Sequence, residues 1–212
     1  MSLWTAARHL LADDQRTETA PPSYPGHMSS MDADVTLEEF GVLERASSEK
    51  VDVELINGRI YVVPVPDGEH DSYIMLIGDQ IRDHCPELRL LPERGLRIPA
   101  YRESRARVDG AVAPREYFFD QPPWSDPSGV LMILEVTSGG ARDAEVDRVV
   151  KRDAYAQAAI PAYLLVDRLF AEVAIHWGPA DGEYQHIAKA KFGTSLRLPA
   201  PFDFDLETKE FR

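Results

Sequence analysis

Val130 to Val136 reads VLMILEV and Ala162 to Val166 reads AYLLV, two near-continuous apolar runs of strand length. A strand with one wet face alternates polar and apolar residues, so a run apolar almost throughout belongs in the middle of a sheet, covered on both faces. Asp143 to Ala159, between the two runs, is expected to form a helix that Ile160-Pro161 ends. Its apolar residues Ala144, Val146, Val149, Val150, Tyr155 and Ala156 do not make a regular stripe. A strand, a crossover helix and a second strand of this length imply parallel pairing.

The remaining elements fit around this unit. Thr36 and Glu39 make a capping box for a helix carrying Leu37, Phe40 and Leu43 and ending near Ala46. VDVELI and RIYVVPV flank Asn57-Gly58, the pair preferred in a type I′ hairpin turn. In that hairpin Glu54 shares a strand face with Ile56. Gly68 to His84 carries Tyr73, Ile74, Ile77 and Ile81 at helical spacing, and His70 falls in its first turn. Short strands are expected at Leu88 to Leu91 and Leu96 to Ile98, around Gly95, then a strand from Arg107 to Ala113. The loop from Pro114 to Gly129, rich in proline and aromatics, is long enough to lie over a cleft. A last hairpin turns at Asp181-Gly182, and Phe202 to Leu206 reads as a short terminal strand. Residues 1–30 are polar and proline-rich after a short apolar start, so they read as a flexible extension, with Met28 or Met31 as alternative starts. Residues 31–212 form the folded domain. The expected class is α/β, with an α+β mixed sheet.

Composition narrows the function. The net charge of −13 argues against strong non-specific DNA binding, because phosphate affinity comes from Lys and Arg. Between Arg89 and Arg107, however, six arginines stand against two glutamates, a local basic run that suits either phosphate or a solvated strand face. The single cysteine, Cys85, excludes an internal disulfide and fits a reducing cytoplasm. No apolar run is long enough to span a membrane, and the histidines show no zinc-ligand spacing.

The chemistry centres on Asp109 and Glu135. Each sits on or at the end of an apolar run, where an unpartnered carboxylate is costly to bury. On neighbouring strands they would face one volume, and their repulsion would raise one pKa unless a cation lay between them. Hard oxygen donors suit Mg²⁺ or Mn²⁺, and the backbone carbonyl of Val136 offers another oxygen. Lys151 lies about two turns into the next helix, within reach of the strand end, where it would stabilise negative charge or orient a water. Against this stands an exposed i, i+4 salt bridge between Asp147 and Lys151. Glu54 is a candidate fourth member.

The run VELINGRI, then VDGAVA, LEVTS, and a K-x-x-x-Y helix before IPAYLLVD, resembles the Uma2 family of restriction-endonuclease-like proteins. That family lies within the wider PD-(D/E)XK nuclease superfamily. The resemblance spans about residues 35 to 206. It implies a restriction-endonuclease-like sheet core flanked by helices and Mg²⁺-dependent hydrolysis of DNA phosphodiester bonds. On matching positions Asp109 is similar to the motif aspartate, Glu135 to its second acidic element, Lys151 to a lysine moved onto the following helix, and Glu54 to an upstream glutamate. Val108 replaces the motif proline, and Thr137 stands where the older motif has lysine. A module that keeps the fold, lacks catalysis and binds nucleic acid or a protein is the alternative. Cutting both strands of a duplex needs two sites, so a homodimer is a chemical expectation.

Overall fold

The structure, a computed structural model, describes residues 34–47, 52–63, 65–99, 103–137 and 144–212. The expected extension, 1–30, lies outside them. Helix α1 (Leu37–Ala46) precedes the hairpin β1 (Asp52–Ile56) and β2 (Arg59–Val63). Helix α2 (Gly68–His84) leads into β3 (Leu88–Ile98) and β4 (Ser104–Pro114). A two-residue strand β5 (Trp124–Ser125) and the central β6 (Met132–Val136) follow. Helix α3 joins a π-helical segment, Val146–Lys151, to an α-helical one, Arg152–Gln157. Strands β7 (Ala162–Asp167), β8 (Glu172–Ala180) and β9 (Glu183–Lys191) complete a mixed sheet ordered β2-β1-β4-β6-β7-β8-β9, with β3 beside β4 and β5 beside β3. Strands β10 (Ser195–Arg197) and β11 (Asp205–Glu207) pair separately.

The parallel β6–β7 pair forms as expected, in the register Ile133 to Tyr163 and Glu135 to Leu165. Along β6, Met132, Leu134 and Val136 pack with Ile77 and Ile81 of α2, while Ile133 packs with Ala154 and Tyr155 of α3. Both faces of these strands are thus covered, which is why they are apolar at nearly every position. Each fully buried aliphatic side chain contributes roughly 1.5–3 kcal/mol of apolar transfer. Thr36 and Glu39 form the capping box on α1. Asn57 and Gly58 both take positive φ, as a type I′ turn requires.

Several expectations need correction. The two short strands around Gly95 are one continuous β3, in register with β4 from Leu88 opposite Pro114 to Ile98 opposite Ser104. Pro92 is accommodated within it by a turn of the backbone at Glu93, which has a φ of 52°. Gly95 is needed because β5 comes close: a Cβ there would lie 2.6 Å from the Pro123 carbonyl oxygen. The loop after β4 does not cover the main cleft. Arg94 ties it to β3 through Ser125 and the carbonyl of Pro122, and Trp124 stacks edge-on against Phe40 of α1. Of the basic run, Arg97 pairs with Asp126 and Arg107 with Glu44 and Asp52, while Arg102 lies outside the described residues. The terminal strand begins later than expected because Phe202 and Phe204 are buried in the core under α2. Among the described residues no helix is long and apolar enough to cross a membrane.

The arrangement around β4 positions the site. One edge of β4 pairs with β3 along its length. The other edge is divided: β1 meets it at Arg105 and β6 at Gly110 to Val112. Between these contacts β1 and β6 part, leaving a fork whose rim is the edge of β4 up to Asp109.

Candidate active site

Side chains fill the fork where the strand ladder stops. Glu54 of β1 accepts the Arg107 N–H at 2.6 Å, and Asp109 of β4 accepts the Val136 N–H at 2.7 Å. Both carboxylates therefore satisfy backbone groups that have left the ladder. Extending the β4–β6 register by one residue sets Asp109 opposite Glu135, as expected of neighbouring strands. A cleft of about 680 Å³ opens here, lined by β1, β2, the start of α2, β4, the end of β6 and α3.

Helix α3 supplies the cation. Asp147, Lys151 and Tyr155 recur every fourth residue on its inward side. The Lys151 ammonium lies 3.1 Å from Glu54 Oε2, 3.3 Å from Glu135 Oε1 and 3.5 Å from Asp147 Oδ1. Tyr155 donates its hydroxyl to Glu135 Oε1 at 2.5 Å, and Tyr163 donates to the Asp147 carbonyl at 2.9 Å. Glu54, Glu135, Lys151 and Asp147 are 2%, 1%, 6% and 8% exposed. The exposed Asp147–Lys151 salt bridge is thus overturned: the pair is buried and belongs to a larger cluster. The irregular apolar pattern of α3 has the same origin, since Asp147 and Lys151 occupy inward positions on the π-helical segment while Val149 faces outward. Single π turns are frequent at functional sites because they rotate side chains out of α-helical phase.

Burial and charge pull against each other. Burial raises the Glu54 and Glu135 pKa values, Glu135 strongly, with Lys151 opposing in both. Burial likewise pushes Asp147 up to about 7 against the pull of Lys151. Burial alone would lower Lys151, but Glu135, Glu54, Asp147 and Asp109 outweigh it and hold its pKa well above the usual lysine value. The cluster therefore keeps its ammonium charged and disfavours full ionisation of its carboxylates. One cation serves four nearby carboxyl groups.

All five positions read from the sequence, Glu54, Asp109, Glu135, Val136 and Lys151, line this one cleft. Thr137, at the older lysine position, is fully buried and its hydroxyl accepts the Arg168 N–H at 2.9 Å. Two members were missed. Asp147 was read only as a surface partner, because π-helical phase leaves no mark in a pattern judged at 3.6 residues per turn. Sequence places His70 only in the first turn of α2, yet it is mostly buried and its Nε2 lies 3.1 Å from Asp109 Oδ2. Burial lowers its pKa, but Asp109 and Asp71 outweigh burial and raise it. The signal available was its place in the first turn of a helix entering the sheet's functional end.

Among the described residues no three His, Cys, Asp or Glu side chains form a ready cage for a metal ion. The oxygen donors instead suit a hard ion held by one or two carboxylates that completes its shell with water and substrate. A buried excess of carboxylates over cations is consistent with such an ion.

The family model described as "Putative restriction endonuclease", Uma2, matches residues 37–209. No curated protein matches the chain. Among solved structures it is similar to a protein from Anabaena variabilis described as "a putative nuclease belonging to DUF820", at 16% identity and a TM-score of 0.59. The match covers 84% of this chain and 97% of that one, and at such identity it shows a shared fold. With the family match running from the first residue of α1 to beyond β11, this chain belongs to the Uma2 family.

Proposed function

We propose that this protein is a Mg²⁺-dependent endonuclease that hydrolyses DNA phosphodiester bonds at the fork between β1 and β6. The observation that carries the reading is the enclosure of Lys151 by Glu54, Glu135 and Asp147 beside Asp109. Asp109, Glu135 and the Val136 carbonyl would hold the ion, with Mn²⁺ as a substitute. A bound divalent ion polarises a phosphoryl oxygen and acidifies a coordinated water. Lys151 presents a permanently charged ammonium at the cleft wall, where negative charge develops. Glu54 positions Lys151 and the β4 backbone together, and Tyr155 fixes the Glu135 carboxylate. The buried thiol of Cys85 is compatible with a cytoplasmic setting.

A nuclease-fold module that binds without cutting is the second reading. It is favoured by the ion pairs already made by Lys151, Arg107 and Arg168, which leave the cleft poor in available positive charge. Calorimetric titration with Mg²⁺ separates the two. The nuclease reading expects binding that is lost in Asp109→Ala/Glu135→Ala. Absence of binding in the wild type, with and without DNA, contradicts it.

A further inference from the structure

Asp109 is gripped through one of its two oxygens. Its Oδ2 accepts the Val136 N–H at 2.7 Å and faces His70 Nε2 at 3.1 Å. A carboxylate oxygen accepts, so the ring nitrogen facing it is the donor. Oδ1 takes no hydrogen bond from a described residue. Asp109 lines the cleft, and its side chain is 20% exposed against 11% for His70. The imidazole is itself set from several directions. His70 is the third residue of α2, and its N–H is capped by Asp67 Oδ1 at 2.9 Å. Asp67 Oδ2 and Glu69 Oε2 accept from the Arg168 guanidinium at 2.9 Å and 2.6 Å. The Arg168 N–H donates to Thr137, just past the end of β6. Asp71 Oδ1 lies 3.3 Å from His70 Nδ1. The first turn of α2 is thus latched to the β6–β7 end of the sheet, and the latch holds the ring against Asp109.

The Val136 N–H needs only one acceptor, and Asp109 supplies it without help from His70. A second donor on the same oxygen restricts the rotation of the carboxylate and leaves the other oxygen as the acceptor on offer. Hydrogen bonds of this kind orient ligating side chains, and losing one typically costs about 10–100-fold in metal affinity. Resting on the nuclease reading above, in which Asp109 holds the divalent ion, we propose that His70 positions Asp109, leaving Oδ1 as the oxygen offered to the ion. His70 acts through Asp109 and is not a ligand, because a hard ion selects oxygen and Nε2 is engaged by Oδ2. Helix α2, which contributes no other ligand, enters the chemistry of the fork in this way.

The test is calorimetric titration of the metal-free protein with Mn²⁺ at one fixed pH, with and without a short DNA duplex. His70→Phe keeps a ring and deletes the donor, and His70→Ala deletes the donor without adding bulk. His70→Gln returns an amide N–H on a side chain long enough to reach Asp109. Asp109→Ala marks the ion site, and circular dichroism confirms each fold. The positioning role predicts an affinity about 10–100-fold weaker in His70→Phe and His70→Ala, with most of it restored in His70→Gln. A role in packing alone would be kept by phenylalanine and would not be rescued by glutamine. Affinity as in the wild type for either donor-free variant, or His70→Gln as weak as His70→Phe, overturns the positioning role. If that happens while Asp109→Ala abolishes binding, the positioning role fails alone. If the wild type binds no ion under either condition, or Asp109→Ala binds as the wild type does, the ion is not held at Asp109 and the nuclease reading fails with it.

Discussion

Replacing Lys151 with methionine keeps most of the stem's length and apolar bulk and deletes one charge. In the folded protein that charge lies within 3.5 Å of three carboxylates, and all four groups are almost dry. Removing one partner from a buried ion pair costs about 3–5 kcal/mol, because the other charge stays buried and unpaired. Here one cation serves three carboxylates, so at pH 8 the upper part of that range is expected. With a urea m-value of about 2 kcal/mol/M, the midpoint should fall by about 2 M. The loss must depend on pH. Burial already raises Glu54, Glu135 and Asp147, and removing Lys151 raises them further. The native variant then binds more protons than the unfolded chain, so its stability falls as pH rises. Urea unfolding at pH 5 and pH 8 should show a deficit several-fold smaller at pH 5. An equal deficit at both would place the cost in packing and refute the electrostatic account.

Other outcomes follow from the same geometry. Asp147, raised to about 7 by burial, contributes stability that is present below the ordinary aspartate range and lost as pH rises through 7. Asp147→Asn should remove that loss, so its stability relative to wild type should rise from pH 5 to pH 8, with a ceiling of about 4 kcal/mol. Thermal unfolding across that range checks it. Tyr155→Phe removes one hydrogen bond to a charged acceptor and leaves the packing of a fully buried ring, so it should cost about 1.5–3 kcal/mol, measured by urea unfolding. Gly95→Ala should cost about 1–3 kcal/mol by the same measurement, since its Cβ would collide with the Pro123 carbonyl and the Trp124 ring. If both strands of a duplex are cut, two sites are needed, and sedimentation should show a dimer when DNA is present.

Much of this molecule was legible from local rules. Val130 to Val136 and Ala162 to Val166 announced a doubly covered parallel pair because burial on both faces removes polar alternation. Asn57-Gly58 and Asp181-Gly182 announced their hairpins because few other pairs accept two positive φ angles. Asp109 and Glu135 stood out because a carboxylate among apolar strand residues is costly without a partner. What stayed hidden depends on distant contacts. Glu54 is held by the Arg107 N–H only because β1 and β6 part along β4, and no residue of β1 encodes that fork. Asp147 turns inward beside Lys151 on a π-helical segment, but their i, i+4 spacing is equally that of an exposed ion pair, so spacing alone gave Asp147 only a surface role. His70 meets Asp109 only once α2 is docked across the sheet. Arg94, Arg97 and Arg107 belong to a run that suits phosphate, but their carboxylate, hydroxyl and carbonyl partners come from α1, β1 and the loop around β5.

The most direct test is cleavage itself. Wild type, Asp109→Ala, Glu135→Ala and Lys151→Met, each confirmed folded by circular dichroism, are incubated with supercoiled plasmid and with single-stranded circular DNA in Mg²⁺ and in EDTA. Cutting by the wild type alone, dependent on Mg²⁺, is the predicted result. Cutting that persists in EDTA or in folded Asp109→Ala and Glu135→Ala, or no cutting of either DNA by the wild type, would contradict a metal-dependent nuclease site at the fork.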